Sequence, residues 1–131
     1  MSGPILIIED DVDIVELIRF NLQSKEYPVR IALNGAEGLM ASMDQAERPS
    51  LILMDLLLPE MNGLEICRRL RREKSTQSIP IIMVTAKASE TDFAKAKEVG
   101  VDDYITKPFS VATLLERVDL LLKRTTAVEY A

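Results

Sequence analysis

The feature that most constrains the fold is a set of short apolar runs separated by segments of helical period. Ile5 to Ile8, Leu51 to Met54 and Ile81 to Val84 are apolar at every position, which is typical of parallel strands buried on both faces. A weaker run from Val29 to Leu33 and a short one from Asp103 to Thr106 bring the predicted strands to five. The runs therefore predict an α/β fold whose sheet is covered by helices on both sides.

The segments between the strands carry helix signals. Apolar residues recur at steps of three and four, and Asn34 and Asn62 are each followed three residues later by glutamate, as at a helix N-terminus. Ser89 and Ser110 are further predicted caps. Strand and helix thus alternate five times, which implies right-handed crossovers. We expect a flavodoxin-like (βα)5 three-layer sandwich with parallel strand order 2-1-3-4-5 and a cleft at the carboxyl ends of strands 1 and 3.

Composition excludes several classes of chemistry. The chain has no histidine and one cysteine, Cys67, so histidine-dependent nucleophilic sites, zinc sites and internal disulfides are excluded. The net charge of −5 argues against general affinity for nucleic acid, and we interpret the basic run from Arg68 to Lys74 as a solvated helix face. No apolar run is long enough to span a membrane. We expect a cytoplasmic protein with no membrane partner.

The length of 131 residues fits one domain. We expect that domain to occupy residues 1–124, with residues 125–131 forming a C-terminal tail or the start of a linker.

Polar residues follow four of the predicted strands. Glu9, Asp10 and Asp11 follow strand 1, Asp55 follows strand 3, Thr85 and Ala86 follow strand 4, and Lys107 and Pro108 follow strand 5. The carboxyl ends of parallel strands meet at one edge, and carboxylates gathered there disfavour each other's ionisation unless a cation joins them. Mg²⁺ takes oxygen ligands and keeps waters that a phosphate can replace. The sequence therefore predicts a magnesium site at this edge.

These motifs resemble those of the receiver domains of bacterial two-component response regulators, of the chemotaxis-regulator and phosphate-regulon-regulator kinds. The resemblance covers about residues 4 to 124 and is carried by Ile7 to Asp11, by Asp55 with Pro59 and Gly63, by Thr85-Ala86 and by Lys107-Pro108. It implies that Asp55 takes a phosphoryl group from a phosphohistidine on a sensor histidine kinase or a histidine phosphotransfer protein.

The resemblance also implies roles for neighbouring residues. Asp10, Asp55 and the backbone carbonyl of Leu57 would bind Mg²⁺ directly, and Glu9 would act through a metal-bound water, whereas Asp11 is a poorer candidate ligand. Lys107 and Thr85 would be the catalytic residues. Lys107 would offer an ammonium to the phosphoryl oxygens, and Thr85 would rotate to donate its hydroxyl.

The implied output surface is the fourth helix, fifth strand and fifth helix, with Thr85 and Tyr104 as switch residues and Tyr104 turning inward in the active state. The Lys107–Pro108 bond is expected to be cis. The partner would be a downstream protein or an effector domain, and DNA would be contacted only through an effector domain absent from this sequence. A homodimer formed on phosphorylation stays open. Part of the charge pattern of such dimers is present at Asp102, Asp103, Arg117 and Arg124, whereas Phe93 and Thr113 stand where opposite charges are expected.

The chain is not expected to act as an enzyme on other molecules. It would catalyse only its own phosphorylation and a slow dephosphorylation, because Leu57 and Lys87, which follow Asp55 and Thr85 by two positions, cannot orient water as a carboxylate or amide could.

Three other interpretations stay open. Asp11-Val12-Asp13 resembles the motif of haloacid dehalogenase-type phosphatases, which would make Asp11 the nucleophile but leaves Asp55 unexplained. A flavodoxin-like cofactor binder is disfavoured, since no Ser/Thr/Gly-rich loop follows strand 1 to hold a phosphate. A pseudo-receiver that binds partners without phosphorylation is disfavoured because every motif position is retained.

Overall fold

Five strands and five helices alternate along the chain. A computed structural model describes residues 3–130, with side chains described through residue 124. The elements in order are β1 Ile5–Ile8, α1 Val12–Ser24, β2 Val29–Ala32, α2 Gly35–Ser42, β3 Leu51–Met54, α3 Gly63–Arg72, β4 Ile81–Thr85, α4 Glu90–Glu98, β5 Asp103–Thr106 and α5 Val111–Tyr130. All strand pairs are parallel, and the sheet order is β2-β1-β3-β4-β5. The predicted fold and strand order are confirmed.

The three central strands separate two apolar cores. Every residue of β1, β3 and β4 is buried, as their uninterrupted apolar runs predict. Because strand side chains alternate between faces, Ile5 and Ile7 enter a core shared with α1 and α5, while Leu6 and Ile8 enter a second core shared with α2 and α3. The edge strands β2 and β5 are only partly buried. The sheet is thus the middle layer of three.

Side-chain caps fix where several helices begin. Asn34 accepts a hydrogen bond from the backbone N–H of Glu37, and Ser89 forms a reciprocal capping box with Asp92, as the sequence predicts. Asn62 caps α3 through the N–H of Leu64 instead of closing a box with Glu65. The cap of α1 was not predicted: it is Asp11, whose carboxylate accepts from the N–H groups of Asp13 and Ile14.

Two boundaries differ from the sequence prediction. β2 ends at Ala32, one residue before Leu33, and β4 includes Thr85 as its last residue. The helix α5 runs through Tyr130, beyond the predicted domain end at residue 124, so the position of that end stays a prediction. In the part of the chain that is described, no helix combines the length and apolarity that a membrane crossing requires.

Candidate functional site

Three carboxylates converge where β1 and β3 end. One carboxylate oxygen from each of Glu9, Asp10 and Asp55 lies within 4.8 Å of the other two. Glu9 and Asp55 are buried, with 3% and 7% of their surfaces exposed, whereas Asp10 faces solvent. The parallel register of β1 and β3, which pairs Ile8 with Met54, explains why the residues that follow these two strands are neighbours. The set offers only oxygen ligands, which suits Mg²⁺.

Lys107 joins the two buried carboxylates. Its Nζ lies 2.7 Å from Glu9 Oε1 and 2.8 Å from Asp55 Oδ2. The contact with Glu9 was not predicted, because the sequence assigns Glu9 to a metal-bound water and separates the two residues by 98 positions. Glu9 Oε2 also accepts from the backbone N–H of Asp11. Glu9 therefore orients the lysine that contacts Asp55.

The charges in this cluster do not balance. Burial raises the pKa of Glu9, and repulsion from Asp55 raises it further, against the opposing effect of Lys107. Burial alone would lower the pKa of Lys107, but its hydrogen bonds to Asp55 and Glu9 outweigh burial and raise that pKa. Both directions follow from one ammonium serving two buried carboxylates, with Asp10 as a third negative charge nearby. A bound divalent cation would neutralise the excess negative charge.

Asp55 is held by backbone contacts on both sides. Its N–H donates to the carbonyl of Ile8 at 3.1 Å, and its Oδ1 accepts from the N–H of Leu57 at 3.0 Å. Gly63 begins α3 against the back of this turn, where a Cβ would lie 2.6 Å from the carbonyl oxygen of Asp55. A larger residue at position 63 would displace the turn that carries the carboxylate. This close approach explains why the motif has a glycine at position 63.

The candidate switch residues lie on neighbouring strands, Thr85 at the end of β4 and Tyr104 within β5. Thr85 is fully buried, and its Oγ1 accepts from the N–H of Lys87 at 3.4 Å, a long hydrogen bond. Tyr104 is half-buried, and its hydroxyl donates to the carbonyl of Lys87 at 2.8 Å. Burial raises the pKa of Tyr104 to about 12, helped by the negative charges of Asp92 and Asp55. The Lys107–Pro108 bond is cis.

Asp11 is not a member of the carboxylate cluster. Its side chain is exposed and caps α1, so its oxygens are directed at backbone N–H groups rather than at the other carboxylates. This geometry disfavours Asp11 as a nucleophile and agrees with its low rank among candidate ligands.

Comparison with known proteins decides the family. The family model described as the response regulator receiver domain matches residues 5–119. The chain belongs to that family. It is a receiver domain of two-component signal transduction, as the sequence motifs predict.

Relatives of this receiver include transcriptional regulators. It is 41% identical, over 97% of its own length, to the DNA-binding dual master transcriptional regulator RpaA of Synechocystis sp. and 40% identical, over 95%, to the alkaline phosphatase synthesis transcriptional regulatory protein PhoP of Bacillus subtilis. It spans about half the length of both relatives, 52% of the first and 50% of the second.

A solved CheY-like receiver from Methanospirillum hungatei superposes on the chain with a TM-score of 0.89 at 31% identity, covering 97% of this chain and 98% of that one. The receiver domain of a sensor histidine kinase from Pseudomonas aeruginosa, described with magnesium coordinated in its active site cleft, has a TM-score of 0.83 at 29% identity and covers 94% and 99% of the two chains.

Two further features were missed by sequence reasoning. Phe93 on α4 packs edge to face against Tyr104, and nothing in the sequence pairs them. The interpretation of the basic run as a wholly solvated face was wrong for Arg71, which is largely buried and donates to the carbonyls of Gln77, Ile79 and Gly100 and to Asp102. The helical period could have indicated this burial, because Arg71 lies four residues after Cys67, at the edge of the buried face of α3.

Proposed function

We propose that this receiver accepts a phosphoryl group on Asp55. The observation that carries the proposal is the geometry around that carboxylate: Oδ2 lies 2.8 Å from the ammonium of Lys107, and the oxygens of Glu9 and Asp10 lie within 4.8 Å. A carboxylate oxygen of Asp55 would attack phosphorus in a phosphohistidine, forming an O–P bond while the P–N bond breaks and its electron pair returns to the imidazole. Since the chain has no histidine, that donor is another protein.

The residues present fit Mg²⁺ as the cofactor. Asp10 and Asp55 would bind it directly, with the Leu57 carbonyl as a third ligand and Glu9 acting through a water. The excess of carboxylates over ammonium groups supports this assignment, as does the donor set of oxygens alone. When bound, the ion would neutralise charge on the transferring phosphoryl oxygens.

Lys107 and Thr85 would serve the phosphoryl group itself. The ammonium of Lys107, already bonded to Asp55, is placed to attract an oxygen of the incoming group. Thr85 Oγ1 accepts from Lys87, while its hydroxyl hydrogen has no acceptor among the side chains and backbone described. That hydrogen is available to a phosphoryl oxygen. Thr85 and Tyr104 would then shift the surface of α4, β5 and α5.

Two exposed neighbours support a long-lived phosphoryl group. Leu57, half exposed beside Asp55, and Lys87 offer no carboxylate or amide to activate water, so dephosphorylation would be slow. The chain would act on no external substrate and would catalyse only these two reactions of its own.

The partners follow from the family. A sensor histidine kinase or a histidine phosphotransfer protein would supply the phosphoryl group, and a downstream protein or effector domain would bind the switched surface. A relative named as DNA-binding, of whose length this chain spans 52%, supports an effector domain as the DNA-contacting part. The receiver would occupy residues 1–124. Family membership and the single cysteine support a cytoplasmic location.

The test is intact mass after incubation with Mg²⁺ and acetyl phosphate. We expect a gain of about 80 Da, the mass of one phosphoryl group, in the parent and in Asp11→Asn, and no gain in Asp55→Asn or in the parent with EDTA. Circular dichroism would show that each variant is folded. A gain that survives Asp55→Asn, or that disappears with Asp11→Asn, would assign the nucleophile elsewhere and refute the proposal.

A further inference from the structure

Phe93 covers one side of Tyr104. The two ring centroids are 4.6 Å apart and the ring planes meet at 80°, an edge-to-face arrangement that is favourable for aromatic pairs. Phe93 is 40% exposed and belongs to neither core, whereas Tyr104 packs against the core shared with α2 and α3. An aromatic side chain in contact with the Tyr104 ring favours the orientation in which the two rings meet edge to face.

The position of Phe93 is fixed by the start of α4. Ser89 and Asp92 close a capping box one residue before it, and the N–H of Phe93 donates to the carbonyl of Ser89 at 3.1 Å. The backbone conformation at Phe93 is therefore set within α4, without a contribution from Tyr104. Phe93 thus offers the Tyr104 ring a packing surface that does not depend on Tyr104 itself.

Tyr104 in turn contacts the loop that carries Lys87. Its hydroxyl donates to the Lys87 carbonyl, and the N–H of Lys87 donates to Thr85 Oγ1. That N–H occupies a lone pair of the Thr85 hydroxyl and leaves its hydrogen for another acceptor. The order of contacts is Phe93, Tyr104, Lys87, Thr85, from the surface of α4 to the buried end of β4.

We propose that Phe93 is a positioning residue for the phosphoryl site: by holding the Tyr104 ring, it keeps the Lys87 peptide and the Thr85 hydroxyl arranged to receive the phosphoryl group. The inference rests on the proposed function and adds to it a residue that does not touch the reacting atoms. A group that stabilises the receptive arrangement strengthens binding of whatever that arrangement binds, by up to the same free energy.

The test measures the affinity of Mg²⁺ with beryllofluoride, a phosphoryl mimic, by titration calorimetry. We expect Phe93→Leu to weaken binding by about 2- to 12-fold, the range that corresponds to one edge-to-face aromatic pair. Phe93→Tyr keeps a ring and should bind like the parent. Phe20→Leu is the matched control, since Phe20 is 68% exposed on α1 and makes the same change of side chain. In a Tyr104→Ala background, Phe93→Leu should have no further effect.

The outcomes separate the two proposals. Unchanged affinity in Phe93→Leu, or an equal loss in Phe20→Leu or in the Tyr104→Ala background, overturns the role of Phe93 and leaves phosphorylation of Asp55 standing. Failure of the folded parent to bind beryllofluoride, or equal binding by Asp55→Asn, overturns the proposed function and the role of Phe93 with it. Unfolding midpoints of all variants exclude a general loss of structure, and Phe93→Tyr tests the ring if Phe93→Leu is unstable.

Discussion

Asp10→Asn should stabilise the protein without divalent ions and lose that advantage when Mg²⁺ is added. Asp10 has no ion-pair partner among the described residues, yet its carboxylate lies within 4.8 Å of those of Glu9 and Asp55. Two unit charges at that distance repel by about 0.9 kcal/mol in water, and the Lys107 ammonium between Glu9 and Asp55 offsets about one of the two repulsive pairs, which leaves about 0.9 kcal/mol. Screening at physiological ionic strength reduces this remainder to about 0.5 kcal/mol. The variant should gain that free energy of unfolding in EDTA.

Addition of Mg²⁺ should reverse the order of stability of the parent and Asp10→Asn. The parent gains stability as Mg²⁺ binds the native state, by an amount that grows with the ratio of ion concentration to Kd, whereas the variant lacks one of the proposed ligands. Urea unfolding in 0.15 M salt measures the free energy of unfolding of the parent and of the variant. Each is unfolded once in EDTA and once in about 20 mM Mg²⁺, and the difference reports the stabilisation by the ion.

Asp11→Asn is the control for this experiment. It removes an adjacent negative charge that lies outside the cluster, and asparagine caps a helix as well as aspartate does. Its stability in EDTA should equal that of the parent. An Asp10→Asn variant that gains nothing in EDTA, or gains no more than Asp11→Asn, would refute the repulsion argument.

Three other predictions concern neighbouring contacts. Leu57→Asn should shorten the lifetime of phosphorylated protein, measured as decay of the added mass, because an amide beside Asp55 can orient water; an unchanged lifetime would contradict slow dephosphorylation as an effect of position 57. Arg71→Lys should cost about 2 kcal/mol in urea unfolding, since one ammonium cannot reach all the carbonyls that the guanidinium contacts. Burial and Asp119 raise the pKa of Tyr27 to about 12, above its ordinary value of 10, so its contribution to stability is complete below pH 10 and is lost as pH rises toward 12. Tyr27→Phe should flatten that fall in stability, and an unaltered pH profile would remove Tyr27 as its cause.

The sequence predicts the sheet well because the relevant signal is local. Continuous apolar runs identify β1, β3 and β4, and the rule that carboxyl ends of parallel strands share an edge brings Asp55, Asp10 and Lys107 together. The prediction placed one residue too many in β2, where Leu33 is apolar but 44% exposed. Apolar character alone does not distinguish a strand residue from the loop residue after it.

The contacts that were not predicted depend on side-chain direction. Lys107 reaches Glu9 as well as Asp55, Arg71 turns inward from a row of arginines, and Phe93 meets Tyr104 across two elements. Composition and spacing define which residues share a region, but rotamers and packing decide which atoms meet. For Arg71 the helical period could have indicated the direction, whereas the aromatic pair has no counterpart in the sequence pattern.

The hydrogen bonds of Arg71 to backbone carbonyls have a mechanical consequence for α4. Two of its guanidinium nitrogens donate to the carbonyl of Gly100, just after the C-terminal end of α4. The third donates to the carbonyl of Ile79, in the loop that leads into β4. Gly100 adopts a φ of +96°, which a residue with a side chain would not easily take, so the chain leaves α4 through a rigid corner. The C-terminal end of α4 is therefore tied to α3 and to the segment before β4, so this end of the proposed output surface should move least when Asp55 is phosphorylated.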